Sequence, residues 1–165
     1  MAGPVDDRLQ YRPEHFEADG ALRDVCILNA QPEAWQRMIE GLSAAPWRVV
    51  FQWTFAESPA EGTLLDAREI WGHLEEDQDE SASLSVQVEN IWFTCYFFDP
   101  GEIEFTFDPA DIEDEKSFTA VREFVRRLGD ATQQEVIVTM EGTDHATMPA
   151  LLMYAPIDRT RGKDS

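Results

Sequence analysis

Six segments of the chain, some with alternating apolar and polar positions and some apolar on both faces, predict β-strands. The clearest alternation covers residues 47–55, where large apolar side chains occupy every second position; this is the period of a strand with one buried face. Residues 22–29 are apolar on both faces, which is typical of a central strand. The remaining predicted strands are residues 83–88, 91–98, 103–107 and 135–139.

Three other segments repeat apolar residues at intervals of three and four, the period of a helix with one buried side. The first helix should open at Pro32 and end near Gly41, and the second covers residues 67–74. The third should begin with Ser117 as its N-cap and stop at Gly129. This order of elements predicts an α+β fold: a mostly antiparallel sheet of about six strands with two or three helices packed on it, a two-layer sandwich.

Composition along the chain suggests three parts. Residues 1–20 are expected to form an irregular N-terminal segment, with a short strand around His15 before the turn. Residues 21–156 form a single α+β domain, and residues 157–165 a frayed polar tail. A chain of 165 residues buries roughly two-thirds of the surface that its unfolded form exposes, so its core needs no disulfide or metal.

The charge of the chain narrows the choice of partner. There are 33 acidic and 13 basic residues, a net charge of −20, yet 43% of the residues are hydrophobic. We therefore expect a folded domain with an acidic surface. Such a surface repels phosphate groups and anionic lipids, which argues against direct nucleic-acid binding and membrane binding. Arginine predominates over lysine among the basic residues, which suggests a bacterial source. The two cysteines lie in apolar runs, which indicates free thiols in a reducing cytoplasm.

The sequence contains no motif that identifies a reaction. Its histidines, His15, His73 and His145, are far apart and lack metal-ligand spacing. The acidic stretch from Asp111 lacks the glycine and glutamate of a calcium-binding loop. Neither a nucleophile elbow nor a phosphate-binding loop is present. The sequence thus predicts no metal site, no cofactor and no catalytic constellation.

The strand at residues 91–98 carries aromatic side chains on both faces. Trp92, Tyr96 and Phe98 share one face, and helices can cover only one face of the sheet. The second face is therefore either interior or an interaction surface, and tryptophan and tyrosine are typical anchors of such surfaces. Acidic residues are concentrated in two regions, 75–80 and 99–115; a solvated acidic surface that keeps the protein soluble is the first explanation for them, and an acidic rim around aromatic anchors is the second.

Together these features predict a non-enzymatic, acidic protein-binding module of the inhibitor or immunity type that neutralises a basic partner protein. The expected contact residues are Glu75, Glu76, Asp77, Asp79, Glu80, Trp92, Tyr96, Glu102, Glu104 and Asp108. Two alternatives stay open. One is a homo-oligomeric structural protein, such as a homodimer, whose aromatic face pairs with a second copy. The other is a small-molecule enzyme that uses His145 as acid or base.

Overall fold

The computed structural model describes residues 6–61, 63–140 and 150–156. Within these residues the chain forms one sheet of eight strands and three α-helices, so the α+β prediction is confirmed. The strands are β1 (Asp6–Arg8), β2 (Arg23–Ile27), β3 (Arg48–Trp53), β4 (Ala82–Val88), β5 (Ile91–Tyr96), β6 (Ile103–Phe107), β7 (Val136–Met140) and β8 (Leu152–Ala155). The helices are α1 (Ala34–Ala44), α2 (Ala67–Glu76) and α3 (Glu115–Thr132). Within the described ranges no helix is both long and apolar enough to span a membrane.

The strands follow the spatial order β1-β8-β7-β2-β6-β5-β4-β3, and every neighbouring pair is antiparallel. β2 lies inside the sheet between β7 and β6, as its two apolar faces predict. β1 and β8 raise the strand count above the six expected, because strands of three and four residues carry too little alternation to be recognised.

The prediction of a short strand around His15 is wrong. Residues Pro13–Phe16 form a turn of 3-10 helix instead, with Phe16 buried. Pro13 stands at the start of this turn, where its fixed φ angle suits a helical conformation and its missing N–H costs no ladder hydrogen bond.

The buried guanidinium of Arg23 fastens the segment before β2 to the domain. Arg23 is 1% exposed, and its Nε donates to the carbonyl oxygen of His15 at 2.7 Å. Its other nitrogens donate to the carbonyl oxygens of Glu17 and Ala21 at 3.2 and 3.1 Å and to the Asp19 carboxylate at 3.4 Å. Because a buried charge requires such partners, this network fixes the path of the chain into β2.

Two glycines predicted to end helices lie inside them. α1 continues beyond Gly41 and α3 beyond Gly129. A Cβ atom at Gly41 would collide with the Cβ of Ala131 in α3, and one at Gly129 would lie 2.7 Å from Cδ2 of Tyr154. Both glycines therefore allow close packing of neighbouring elements.

The start of α3 also differs from the prediction. Asp114 is its N-cap, and Ser117 stands three residues later as the second partner of a capping box. The Asp114 carboxylate accepts from the Ser117 N–H at 2.8 Å. In return, the Ser117 hydroxyl accepts from the Asp114 N–H at 3.0 Å, so each side chain satisfies one free N–H group at the start of the helix.

All three helices cover the same face of the sheet. Phe124 of α3 stacks on Phe93 of β5, with ring centroids 4.0 Å apart, and meets Phe105 of β6 edge-on at 5.0 Å. Trp35 of α1 packs against Phe97, with centroids 4.7 Å apart. Since side chains alternate along a strand, Phe93, Cys95 and Phe97 face the helices, and Thr94 and Tyr96 point away from them.

Candidate functional site

Three aromatic residues on and just after β5 lie on the sheet face that points away from the helices. Trp92 is 37% exposed, Tyr96 51% and Phe98 82%. The rings of Tyr96 and Phe98 are nearly parallel, at 11°, and their centroids are 5.5 Å apart. Because exposed rings forgo the free energy of apolar burial, such a patch is typical of an interaction surface.

Carboxylates of the neighbouring strand stand beside these rings. The register of β5 with β6 pairs Thr94 with Thr106, so that Glu104 follows in register beside Tyr96. Glu104 is exposed and Glu102 is half-buried. We call the surface formed by Trp92, Tyr96, Phe98, Glu102 and Glu104 the acidic aromatic face.

A hollow of about 500 Å³ opens on this face between β5 and β6. Tyr96 and Phe98 line one part of it, Glu102 and Glu104 another, and Leu22 adds an apolar side chain. Carboxylates, aromatic rings and an aliphatic group therefore meet in one recess, which is a suitable environment for a cation on an apolar stem.

Hydroxyl groups also line the hollow. Thr94 and Thr106 both border it and are half-buried. The hydroxyls of Thr94 and Ser85 on β4 are 3.1 Å apart, and the hydroxyl of Thr106 donates to the carbonyl oxygen of Thr94 at 3.4 Å. These bonds hold the hydroxyl groups in a row across three strands, so the recess has ordered polar atoms next to its aromatic wall.

Trp92 already contacts a cation of this chain. The guanidinium carbon of Arg48, on β3, lies 5.7 Å from the centroid of the Trp92 ring, within cation–π range. The Nε of Arg48 donates to Glu61 at 2.9 Å. One ring of the acidic aromatic face thus binds an arginine within the fold, whereas the rings of Tyr96 and Phe98 stack on each other.

Asp108, a further predicted contact residue, has a local role. It follows β6, and its Oδ1 accepts from the backbone N–H of Ala110 at 2.9 Å. Asp108 is the N-cap of the short 3-10 helix Pro109–Asp111. Its exposed carboxylate adds negative charge near the acidic aromatic face while it stabilises this turn.

The acidic run of residues 75–80 begins in the helix layer and lies apart from the acidic aromatic face. α2, where the run starts, packs through Trp71 against Phe97, with ring centroids 5.5 Å apart, and Phe97 points toward the helices. At the end of the run, Glu80 accepts from the hydroxyl of Thr54. The predicted contact residues therefore form two groups, and the β5–β6 group combines carboxylates with exposed rings. The run contains Glu75, Glu76, Asp77, Asp79 and Glu80.

Phe98 and the two threonines were not among the predicted contact residues. Phe98 is the most exposed large apolar residue in the described part of the chain, and the alternation that groups Trp92 with Tyr96 also includes it. The same period includes Thr94. Thr106 joins the site through the pairing of β5 with β6, and this register has no local signal in the sequence.

The histidines give no support to a catalytic site in the described part of the chain. His145, the proposed acid or base, lies outside the described residues. Burial lowers the pKa of His15, and His73 stacks on Phe55 with centroids 4.3 Å apart. Among the described residues, no group of three or more histidine, cysteine, aspartate or glutamate side chains is placed to hold a metal ion.

Both cysteines are free and buried. Burial raises the pKa of Cys95 to about 12, and burial raises the pKa of Cys26 even further. Because the thiolate is the nucleophilic form, neither side chain is activated near neutral pH.

Comparison of the chain with models of protein families, with curated proteins and with solved structures finds no match to any of them. The side chains themselves are therefore the basis for a functional proposal. Of the features described, the acidic aromatic face joins exposed apolar surface, negative charge and a recess in one place.

Proposed function

We propose that this protein is a non-enzymatic binding module whose acidic aromatic face contacts a basic partner protein, as an inhibitor or immunity-type protein would. The observation that carries the proposal is the exposed, stacked pair Tyr96 and Phe98 beside the carboxylates of Glu102 and Glu104. The proposal sets the module in a bacterial cytoplasm, where the buried thiols stay reduced.

In this proposal the carboxylates and the aromatic rings have different roles. A net charge of −20 attracts a cationic partner and raises the rate of encounter. In this proposal the acidic run of residues 75–80 adds to the net negative charge but does not contact the partner. The aromatic rings then exclude water at the interface and slow dissociation, which is the usual role of tyrosine and phenylalanine anchors.

Charge also argues against self-association through the same face. In a two-fold dimer the identical patch occurs on both subunits, so Glu102 and Glu104 would approach their own copies across the interface. Like charges brought together in this way are destabilising, whereas lysine and arginine of a different protein would neutralise them. A basic heterologous partner therefore fits this face better than a second copy does.

The test compares two charge reversals of equal size at different places. The variant Glu102→Lys/Glu104→Lys changes the acidic aromatic face, and Glu75→Lys/Glu76→Lys is the matched control on α2. Each immobilised protein is incubated with extract of the native host, and retained basic proteins are quantified. We expect the wild type and the control to retain the same basic protein and the face variant to lose it.

Two results would count against the proposal. Equal retention by the face variant and the control means that the face makes no contact. A wild type that sediments as a dimer at micromolar concentration, and as a monomer after Phe98→Ala, assigns the rings to self-association instead.

A further inference from the structure

We infer that the hollow between β5 and β6 receives one arginine side chain of the partner. This inference rests on the proposed function, because it concerns the same face. The hollow has a volume of about 500 Å³, within the range of sites that bind small ligands. It is bordered by Leu22, Thr94, Tyr96, Phe98, Glu102 and Glu104.

The charge of the recess selects a cation. Glu102 and Glu104 are two residues apart, so the rise of an extended chain separates them by about 6.6 Å on the same side of the strand. Both carboxylates border the recess. Asp99 also borders it, but its Oδ1 accepts from the Gly101 N–H at 2.8 Å and stabilises the turn. A cation placed between the two glutamates would interact with both carboxylates.

The shape of the recess favours a guanidinium over an ammonium group. The Tyr96 and Phe98 rings are stacked nearly parallel, at 11°, and both are exposed and border the recess, so planar aromatic surface is open to a ligand there. A guanidinium is planar, so it stacks on such rings while its N–H groups donate two parallel hydrogen bonds to a carboxylate. Lysine offers a compact, strongly hydrated charge without this flat surface. Leu22 gives apolar contact to the methylene stem that leads to the head group.

The same face already contains an arginine held by these means. Arg48 lies over the Trp92 ring, with its guanidinium carbon 5.7 Å from the centroid, and its Nε donates to a carboxylate of Glu61 at 2.9 Å. Tyr96 and Glu104 also bring a ring and a carboxylate together, four residues further along β5. The Arg48 contact is therefore an example within this chain of an arginine held by an aromatic ring and a carboxylate.

The test uses blocked amino acids as probes, followed by ¹⁵N–¹H NMR of the full chain. Nα-acetyl-arginine methylamide is the probe, Nα-acetyl-citrulline methylamide is its neutral counterpart, and the lysine derivative has the same charge. We expect saturable shifts at Thr94, Tyr96 and Glu104 with the arginine probe. Binding of the citrulline probe should be about fivefold weaker or more, the loss expected for one partly exposed charged contact. The lysine probe keeps the charge but should also bind more weakly, because it lacks the planar group that stacks on the rings.

Variants keep the test specific to the recess. Glu104→Gln should weaken binding of the arginine probe about fivefold, whereas Glu69→Gln, at an exposed glutamate of α2, should leave its affinity unchanged. Glu104 is exposed, so this variant should fold, and its NMR spectrum shows whether it does. The inference is overturned by equal binding of the three probes, by shifts outside the recess, or by an unchanged affinity after Glu104→Gln.

Failure of the recess inference can be distinguished from failure of the proposed function. If Glu102→Lys/Glu104→Lys abolishes capture of the basic protein while the arginine probe does not bind, the recess inference fails and the proposed function stands. If the probe binds the recess and capture survives the same double reversal, the proposed function fails.

Discussion

Phe97 and Phe98 are adjacent in the chain, yet they point to opposite faces of the sheet. Phe97 is 5% exposed and packs against Trp35 and Trp71, with ring centroids 4.7 and 5.5 Å away. Phe98 is 82% exposed and stacks on Tyr96. The same substitution to alanine at the two positions therefore compares the helix-covered face of the sheet with the acidic aromatic face.

The expected costs differ several-fold. Phe97→Ala removes a buried ring and leaves a cavity among tryptophans, which should lower the free energy of unfolding by about 3–5 kcal/mol. Phe98 buries only about a fifth of its surface, worth roughly 0.3–0.6 kcal/mol from a full transfer of about 1.5–3 kcal/mol. Its stacking on Tyr96 adds about 0.5 kcal/mol in this exposed position. Phe98→Ala should therefore cost about 1 kcal/mol or less.

The measurement is urea unfolding followed by tryptophan fluorescence, with the midpoint compared at equal m-value. We expect a large fall in midpoint for Phe97→Ala and a small one for Phe98→Ala. If Phe98→Ala destabilises the protein as much as Phe97→Ala, the Phe98 ring is buried in solution. Phe98 would then not belong to the exposed acidic aromatic face, and the proposed contact surface would not exist in the form described.

Two further predictions concern packing and ionisation. Gly41→Ala should lower the free energy of unfolding by about 1–3 kcal/mol, because the new Cβ meets Ala131. In the control Gly72→Ala the new Cβ has open space around it, so the free energy of unfolding should rise by about 0.5–1 kcal/mol. Urea unfolding measures both variants, and equal effects would contradict the close approach of α1 to α3. Burial raises the pKa of Cys95 and of Tyr154 to about 12, from ordinary values of 9.0 and 10.0. The folded state therefore keeps protons that the unfolded chain releases between these pH values. The free energy of unfolding should be constant below about pH 9 and fall as the pH rises to about 12. A constant urea midpoint between about pH 9 and 12 would refute this prediction.

Elements with a strong local pattern could be predicted from the sequence. The alternation at residues 91–98 places Trp92 and Tyr96 on one face because burial of the opposite face imposes a period of two. β1 escaped prediction because three polar residues, Asp-Asp-Arg, become a strand only by pairing with β8.

Other features depend on contacts between distant parts of the chain. Gly41 resembles a helix terminator in sequence, and only the position of Ala131 reveals its role in packing. Likewise, Glu104 stands beside Tyr96 because β6 pairs with β5 in one register. Both residues can be read from the sequence, but the register that places them side by side is set by packing of the whole sheet.

The most direct test of the acidic aromatic face is its footprint in a complex. Hydrogen exchange is measured on the full chain, alone and bound to the basic protein captured from host extract. Our account predicts slower exchange in residues 92–106, with little change in α1, α2 and α3. Protection confined to the helices, with residues 92–106 unchanged, would contradict it.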